Sequence, residues 1–241
     1  MQHKPQFIYS LIPIALLVFG ITFIGMEDRQ TGSDFKIDQD SDKLVTKNGE
    51  PAENTVLITI DDAPRGESTL KILDILDDHD VKALFFLNGY LIEDQREREM
   101  LVKEIDQRGH LLGNHTWSHS NLTELDSTET HYEIHRLQEL VEDIVGYQPH
   151  FFRPPYGEHN TYLWAMIEEF NMQTMNWSAM SFDWNYEDDD EPDEIIELSL
   201  QQLHDGANYL FHDRKISASA LDRFLTEINE LGYDTAIPEH P

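Results

Sequence analysis

The sequence predicts an α/β protein, because short apolar runs alternate with longer amphipathic stretches from Thr55 almost to the C-terminus. Val56-Leu57-Ile58-Thr59-Ile60 and the run from Ala83 to Leu87 have the nearly unbroken apolar texture of parallel strands buried on both faces. The stretches between such runs place apolar residues at helical spacing, as Leu70, Leu73 and Leu76 do. This alternation implies a parallel sheet covered by helices, either open or closed into a barrel.

The first element is of another kind. From Phe7 to Met26 runs a 20-residue segment without a charge; at about 1.5 Å per residue it matches a bilayer core of about 30 Å. Lys4 precedes it and Glu27 and Asp28 follow, which favours a cytoplasmic N-terminus with the rest of the chain outside. Because no A-x-A cleavage site follows, the segment reads as an uncleaved signal anchor in the cytoplasmic membrane. A cleaved signal peptide, leaving a secreted protein, is the alternative. Residues 27–53 are polar and lack an apolar period, so they read as a linker, and residues 54–241 as the folded domain.

Within that domain the first strand is followed by a helix over 68–79, with Ser68 as its N-cap. After the strand at 83–87 comes a charged helix over 93–108 that Gly109 ends. Further helices fit 128–145, 160–170, 192–203 and 217–231, and strand-like runs lie at 111–113, 150–153, 173–177, 207–211 and 233–237.

Composition narrows the function classes. Seventeen Lys and Arg stand against 47 Asp and Glu, a formal charge of −30; that field repels nucleic acid and anionic membrane surfaces. With no cysteine, thiolate metal sites, Cys nucleophiles and disulfides are absent.

Chemistry-bearing residues gather just after the predicted strands, where α/β folds build their sites. Asp61-Asp62 end the first strand, and adjacent carboxylates repel unless a cation stands near them; an Asp-rich turn with Pro64 and Gly66 is the plain alternative. In GHLLGNHTWSH, His115 and His119 are four apart, the spacing of one helical turn. Two neutral imidazoles and one carboxylate would leave a coordination position open on a metal. His131 and His135 have the same spacing but flank Ile134, Leu137 and Val141 in a long amphipathic helix, and they read as its solvated edge. In FFRPPYG two prolines stiffen a loop able to present a backbone N–H to an oxyanion. Arg153 there needs a carboxylate if buried; otherwise this is a structural turn with a surface arginine. Asp183-Trp184 and His212, at the end of Tyr209-Leu210-Phe211, complete the set, although a lone His there could be structural. The run EDDDEPDE, 187–194, reads as a solvated loop, with calcium binding as the outside option.

TIDDAP, HTWSH, RPPYG, the late Asp-Trp and Leu-x-His resemble, in that order, the motifs of the polysaccharide deacetylases, the NodB-homology proteins or carbohydrate esterase family 4, over residues 54–237. The resemblance implies a distorted (β/α) barrel with about seven parallel strands. It implies that Asp62, His115 and His119 hold one divalent ion, zinc first among zinc, cobalt, nickel and manganese. It casts Asp61 as the base acting on metal-bound water, oriented by Arg153. His212 is cast as the acid that Asp183 tunes, the Tyr156 N–H as an oxyanion donor, and Trp184 and Leu210 as the acetyl-methyl pocket. The implied activity is removal of N-acetyl groups from the N-acetylhexosamine units of a cell-envelope or extracellular glycan, by a monomer tethered to the membrane through its N-terminal helix. O-acetyl ester hydrolysis, sugar deformylation or glycan binding without turnover are the alternatives. Two departures stand out: Ile60 and Ala63 replace the family's usual Phe and Gly, and Met180 stands where relatives often carry an additional Asp.

Overall fold

A computed structural model describes residues 34–240; the expected membrane anchor and the first part of the expected linker lie outside them. Among the described residues no helix is long and apolar enough to cross a membrane.

A small antiparallel pair, β1 (Phe35–Ile37) and β2 (Leu44–Thr46), comes first. The α/β part begins with β3 (Thr55–Ala63), α1 (Glu67–Asp78), β4 (Leu84–Leu87), the short α2 (Gly89–Ile92), α3 (Arg96–Gln107) and β5 (Leu111–Asn114). It continues through α4 (Ser127–Val145), β6 (Phe151–Phe152), α5 (Leu163–Glu169), β7 (Gln173–Thr174) and β8 (Ala179–Met180). It closes with α6 (Asp193–Leu200), β9 (Asn208–His212), α7 (Lys215–Glu230) and β10 (Asp234–Thr235). The strands pair in parallel in the order β7-β6-β5-β4-β3-β9-β8, and β10 joins the start of β3 at Thr55 and Val56, on the edge that β4 occupies further along. The path holds the expected seven strands and β10 adds an eighth. It is a curled half-barrel, since among the described residues no ladder joins β7 to β8.

Both faces of this sheet are covered, which is why its strands read as continuous apolar runs. The period-two alternation is nevertheless present. On β3, Val56, Ile58 and Ile60 pack with Leu73 and Leu76 of α1 and Leu221 and Phe224 of α7. The opposite face offers Leu57, which packs with Leu84, Phe86, Leu111 and Phe151 inside the half-barrel. Next on that face come Thr59 and then Asp61, so the interior changes from apolar to polar toward the strands' C-terminal ends.

Two expectations need correction. The helix α1 is not capped by Ser68: Thr69 Oγ1 accepts from the Arg65 and Gly66 N–H groups, while Ser68 donates to Asp213 at 2.5 Å. The expected linker is also not uniformly a linker, because Ile37, Leu44 and Ala52 are buried in the interior cluster. The Leu44 N–H donates to the Gly206 carbonyl at 2.8 Å, and a Cβ on Gly206 would lie 2.2 Å from the Leu44 oxygen. The hairpin thus covers the N-terminal ends of β3 and β9, the pole opposite Asp61. Its burial was hidden because three-residue strands are too short to display a period.

Candidate metal and catalytic site

At the other pole the strand ends converge. Asp61 pairs in register with His212 across β3 and β9, whereas β5 leads to His115 and β6 to Arg153 on the far side of β3. The order along the sheet edge therefore puts His212 on one side of the Asp pair and the other two histidines on the other.

The two aspartates are sorted by their surroundings. Asp61 is buried and accepts from Arg153 Nη1 at 2.6 Å. The guanidinium is fully buried; it also donates to Thr59 Oγ1 at 2.7 Å and to the Met175 and Asn176 carbonyls at 3.2 and 2.5 Å. Its Cζ lies 4.2 Å from the centroid of the Phe86 ring. Burial pulls Arg153 below its ordinary value while the Asp61 carboxylate opposes the shift. The surface-arginine reading of this position is excluded. Asp62 has φ 61°, in the left-handed region, which interrupts the strand geometry there; its Oδ1 and the Asp61 Oδ2 lie 3.9 and 3.6 Å from the same His115 Nε2.

Asp62, His115 and His119 each offer a ligand atom, and these atoms lie within 4.8 Å of one another. Asp62 Oδ1 is buried without a hydrogen-bond partner, 3.5 Å from His119 Nε2 and 3.9 Å from His115 Nε2. A buried carboxylate oxygen left in this way is costly, and a divalent ion would satisfy it. His115 Nδ1 donates to the Arg153 carbonyl at 2.7 Å, which leaves Nε2 with its lone pair toward the site. Burial, then the neighbouring His115, holds His119 below its ordinary value and so favours the neutral ligand form. The donor set fits a divalent metal.

The helical turn suggested by the His spacing is absent, because residues 115–119 form a loop with positive φ at Thr116 and His119. Buried polar groups shape that loop. Asn114 Oδ1 accepts from the Thr116 N–H at 2.9 Å, Asn88 Nδ2 donates to the His115 carbonyl at 2.6 Å, and Glu133 accepts from both the N–H and the hydroxyl of Ser118. The sequence reading missed Glu133, although a carboxylate beside Ile134 and Leu137 on the apolar face of a helix is a visible signal. His131 and His135 are remote in kind: half-exposed, paired with Glu169 and Glu139, and packed against Phe170.

His212 is the partly buried partner of the fully buried Asp183. Its Nδ1–H donates to Asp183 Oδ1 at 2.7 Å and its backbone N–H to Oδ2 at 2.7 Å, while Ser217 donates to Oδ2 as well. Burial pulls His212 down, but the Asp183 carboxylate outweighs it and holds the imidazole above its ordinary value. Burial likewise pushes Asp183 up, and the bonds from His212 and Ser217 outweigh it in the other direction. The Trp184 ring stands 5.5 Å from His212, partly exposed, and Leu210 lies buried one turn of the pleat below on β9. Tyr156, at φ 62°, sets its exposed ring edge-on against His119 at 4.9 Å, opposite Trp184 across the site. Arg214 steadies the Trp184 loop by donating to the Asp183 and Tyr186 carbonyls at 2.6 and 2.8 Å. Within the acidic run, Asp188, Asp189 and Asp193 pair with Arg214, Lys215 and Arg223, so part of it is tied to α7.

Known proteins resemble this chain in sequence and fold. A family model described as polysaccharide deacetylase matches residues 48–175, more than half of the chain. The peptidoglycan-N-acetylmuramic acid deacetylase PdaA of Bacillus subtilis is 31% identical over 187 residues, covering 77% of this chain and 70% of that protein. The peptidoglycan-N-acetylglucosamine deacetylase of Bacillus cereus is 42% identical over 135 residues, which are 53% of this chain and 48% of that one. Among solved structures, a CE4 family pseudoenzyme from Bacillus anthracis aligns with a TM-score of 0.70 at 30% identity, covering 78% of this chain and 64% of its own. The chain therefore spans about half the length of the Bacillus cereus relative.

Proposed function

This chain belongs to the polysaccharide deacetylase family, and on that premise we propose that it hydrolyses the N-acetyl groups of N-acetylhexosamine units in a cell-envelope glycan of the peptidoglycan kind. Relatives named for both peptidoglycan sugars support the substrate class. The observation that carries the reading is the division of labour between neighbours. Asp61 is paired with a buried arginine, whereas Asp62 presents an unpartnered oxygen to two imidazoles.

Asp62, His115 and His119 would hold the ion, zinc being our first expectation. Bound there, a divalent metal supplies Lewis acidity to the acetyl carbonyl and acidifies water. Asp61, held in place by the Arg153 guanidinium, takes the proton that the attacking water loses. The Tyr156 N–H donates to the carbonyl oxygen as charge develops on it, and Trp184 and Leu210 enclose the acetyl methyl. His212, aligned by Asp183, gives its Nε2 proton to the sugar nitrogen as the C–N bond breaks, leaving acetate and a free amine. Base and acid on opposite sides of the reacting group is what the proton balance requires.

Acetate release from peptidoglycan and chitooligosaccharide, measured with each metal restored to chelator-stripped protein, tests this. Asp62→Ala should abolish metal binding. Asp61→Asn should keep the metal and lose turnover by about 10²–10⁴-fold. Full activity in both variants would overturn the assignment. The likeness to a pseudoenzyme favours a second reading, glycan binding without turnover; metal-replete protein that binds the oligosaccharide and releases no acetate would establish it.

A further inference from the structure

Arg65 stands in the loop that carries both aspartates, and its guanidinium is committed to Asp62. Its Nη2 donates to Asp62 Oδ2 at 2.8 Å and its Nε to the Asp62 carbonyl at 3.1 Å. Its own backbone N–H is fixed by Thr69 Oγ1 and Asp213 Oδ2, each at 2.9 Å. The oxygens of Asp62 are therefore unlike. Oδ2 is occupied by a cation, while Oδ1 is buried, lacks a partner and faces His115 and His119.

We propose that Arg65 is a positioning residue that confines Asp62 to ligation through Oδ1 alone. The inference rests on the reading that Asp62, His115 and His119 hold a divalent ion. A carboxylate can give such an ion one oxygen or two, and three donors leave open the position that hydrolysis needs. A charge-assisted bond to a planar guanidinium is strong and directional, so Oδ2 is kept from becoming a fourth donor. The same bond draws negative charge from the carboxylate, which holds the ion less tightly and leaves it more electrophilic.

Chelator-stripped wild type, Arg65→Ala, Arg65→Gln and Arg65→Lys would each be titrated with cobalt(II), following its visible absorption and its affinity by chelator competition, and then assayed for acetate release. Arg65 is partly exposed, and the glutamine variant keeps a polar side chain of moderate length, so a folded protein lacking the cation is available. Arg65→Ala and Arg65→Gln should bind cobalt at least as tightly as wild type. Their visible bands should be weaker, as higher coordination gives, and kcat should fall about 10–100-fold. Arg65→Lys should keep the wild-type spectrum, because an ammonium can still occupy Oδ2. A wild-type spectrum in both the Ala and Gln variants overturns the proposal, including the case in which only KM changes and Arg65 merely touches substrate. Wild-type protein that takes up no cobalt overturns the metal reading itself, a result distinct from the first.

Discussion

Burying a whole guanidinium beside Asp61 is tolerable only because every part of it is engaged, by one carboxylate, one hydroxyl, two carbonyls and an aromatic face. The His212–Asp183 pair follows the same rule and makes the pH behaviour predictable. His212 is raised above 6.5 in the fold, so its contribution to stability is present below 6.5 and is lost as pH rises through the higher folded value. Asp183 is lowered from 3.8, so its contribution is present above 3.8 and is lost as pH falls through the lower folded value. Asp183→Asn removes the charge that outweighs burial, and the His212 imidazole should then titrate at lower pH. We expect the alkaline limb of the kcat/KM profile for acetate release to move to lower pH and the neutral-pH rate to drop by about 10²-fold or more. An unmoved alkaline limb would show that another group supplies the proton. From residue chemistry alone Asp61 and Asp62 were legible as one suspicious pair, and their separate roles came only from the family resemblance, since no residue type announces the left-handed φ at Asp62 or the burial of Arg153 against Asp61.

At the scale of elements, most of the sheet was legible because two-sided burial makes a parallel strand a short apolar run. The exceptions are physical. β8 comprises only Ala179 and Met180, too little chain for any pattern, and the histidine loop has no period because side-chain bonds replace backbone repeats there. His spacing was a poor guide, as His131 and His135 share it and belong to an ordinary helix flank; the expectation of a metal at His115 and His119 rested on the ordered set of motifs. Gly113 on β5 illustrates how closely the strand ends are packed. A Cβ there would lie 2.5 Å from Phe86 Cδ1, and that ring supports the Arg153 guanidinium on one side and lies 6.2 Å from His115. Gly113→Ala should therefore displace Phe86, at a cost of about 1–3 kcal/mol. It should also lower turnover by disturbing Arg153. Chemical denaturation paired with acetate release would measure both, and a variant as stable as wild type would mean that the ring has room to move.

For the whole molecule, the acidic balance and the hairpin bear on the same question, what holds the architecture together. Forty-seven acidic residues against 17 basic ones give a surface that repels itself, and the pairs tying 188, 189 and 193 to α7 are exposed and individually weak. Cohesion must come from the interior, and the half-barrel has an open pole below its apolar cluster. The hairpin closes it: Leu44 is fully buried, Gln173 Nε2 donates to the Ile37 carbonyl at 2.9 Å, and Asp42 accepts from the Asn176 N–H at 2.7 Å. Asn176 is also the residue whose carbonyl receives Arg153 Nη2, so the floor and the candidate catalytic arginine share a turn. Leu44→Ala should cost about 2–5 kcal/mol through lost burial and the cavity left behind, seen as a lower midpoint in denaturant with an unchanged slope. Arg153 should lose some of its fixity as that turn relaxes, so kcat should fall even where the variant is fully folded. A midpoint equal to that of wild type would mean that the segment lies on the domain as a detachable linker and contributes nothing to the interior.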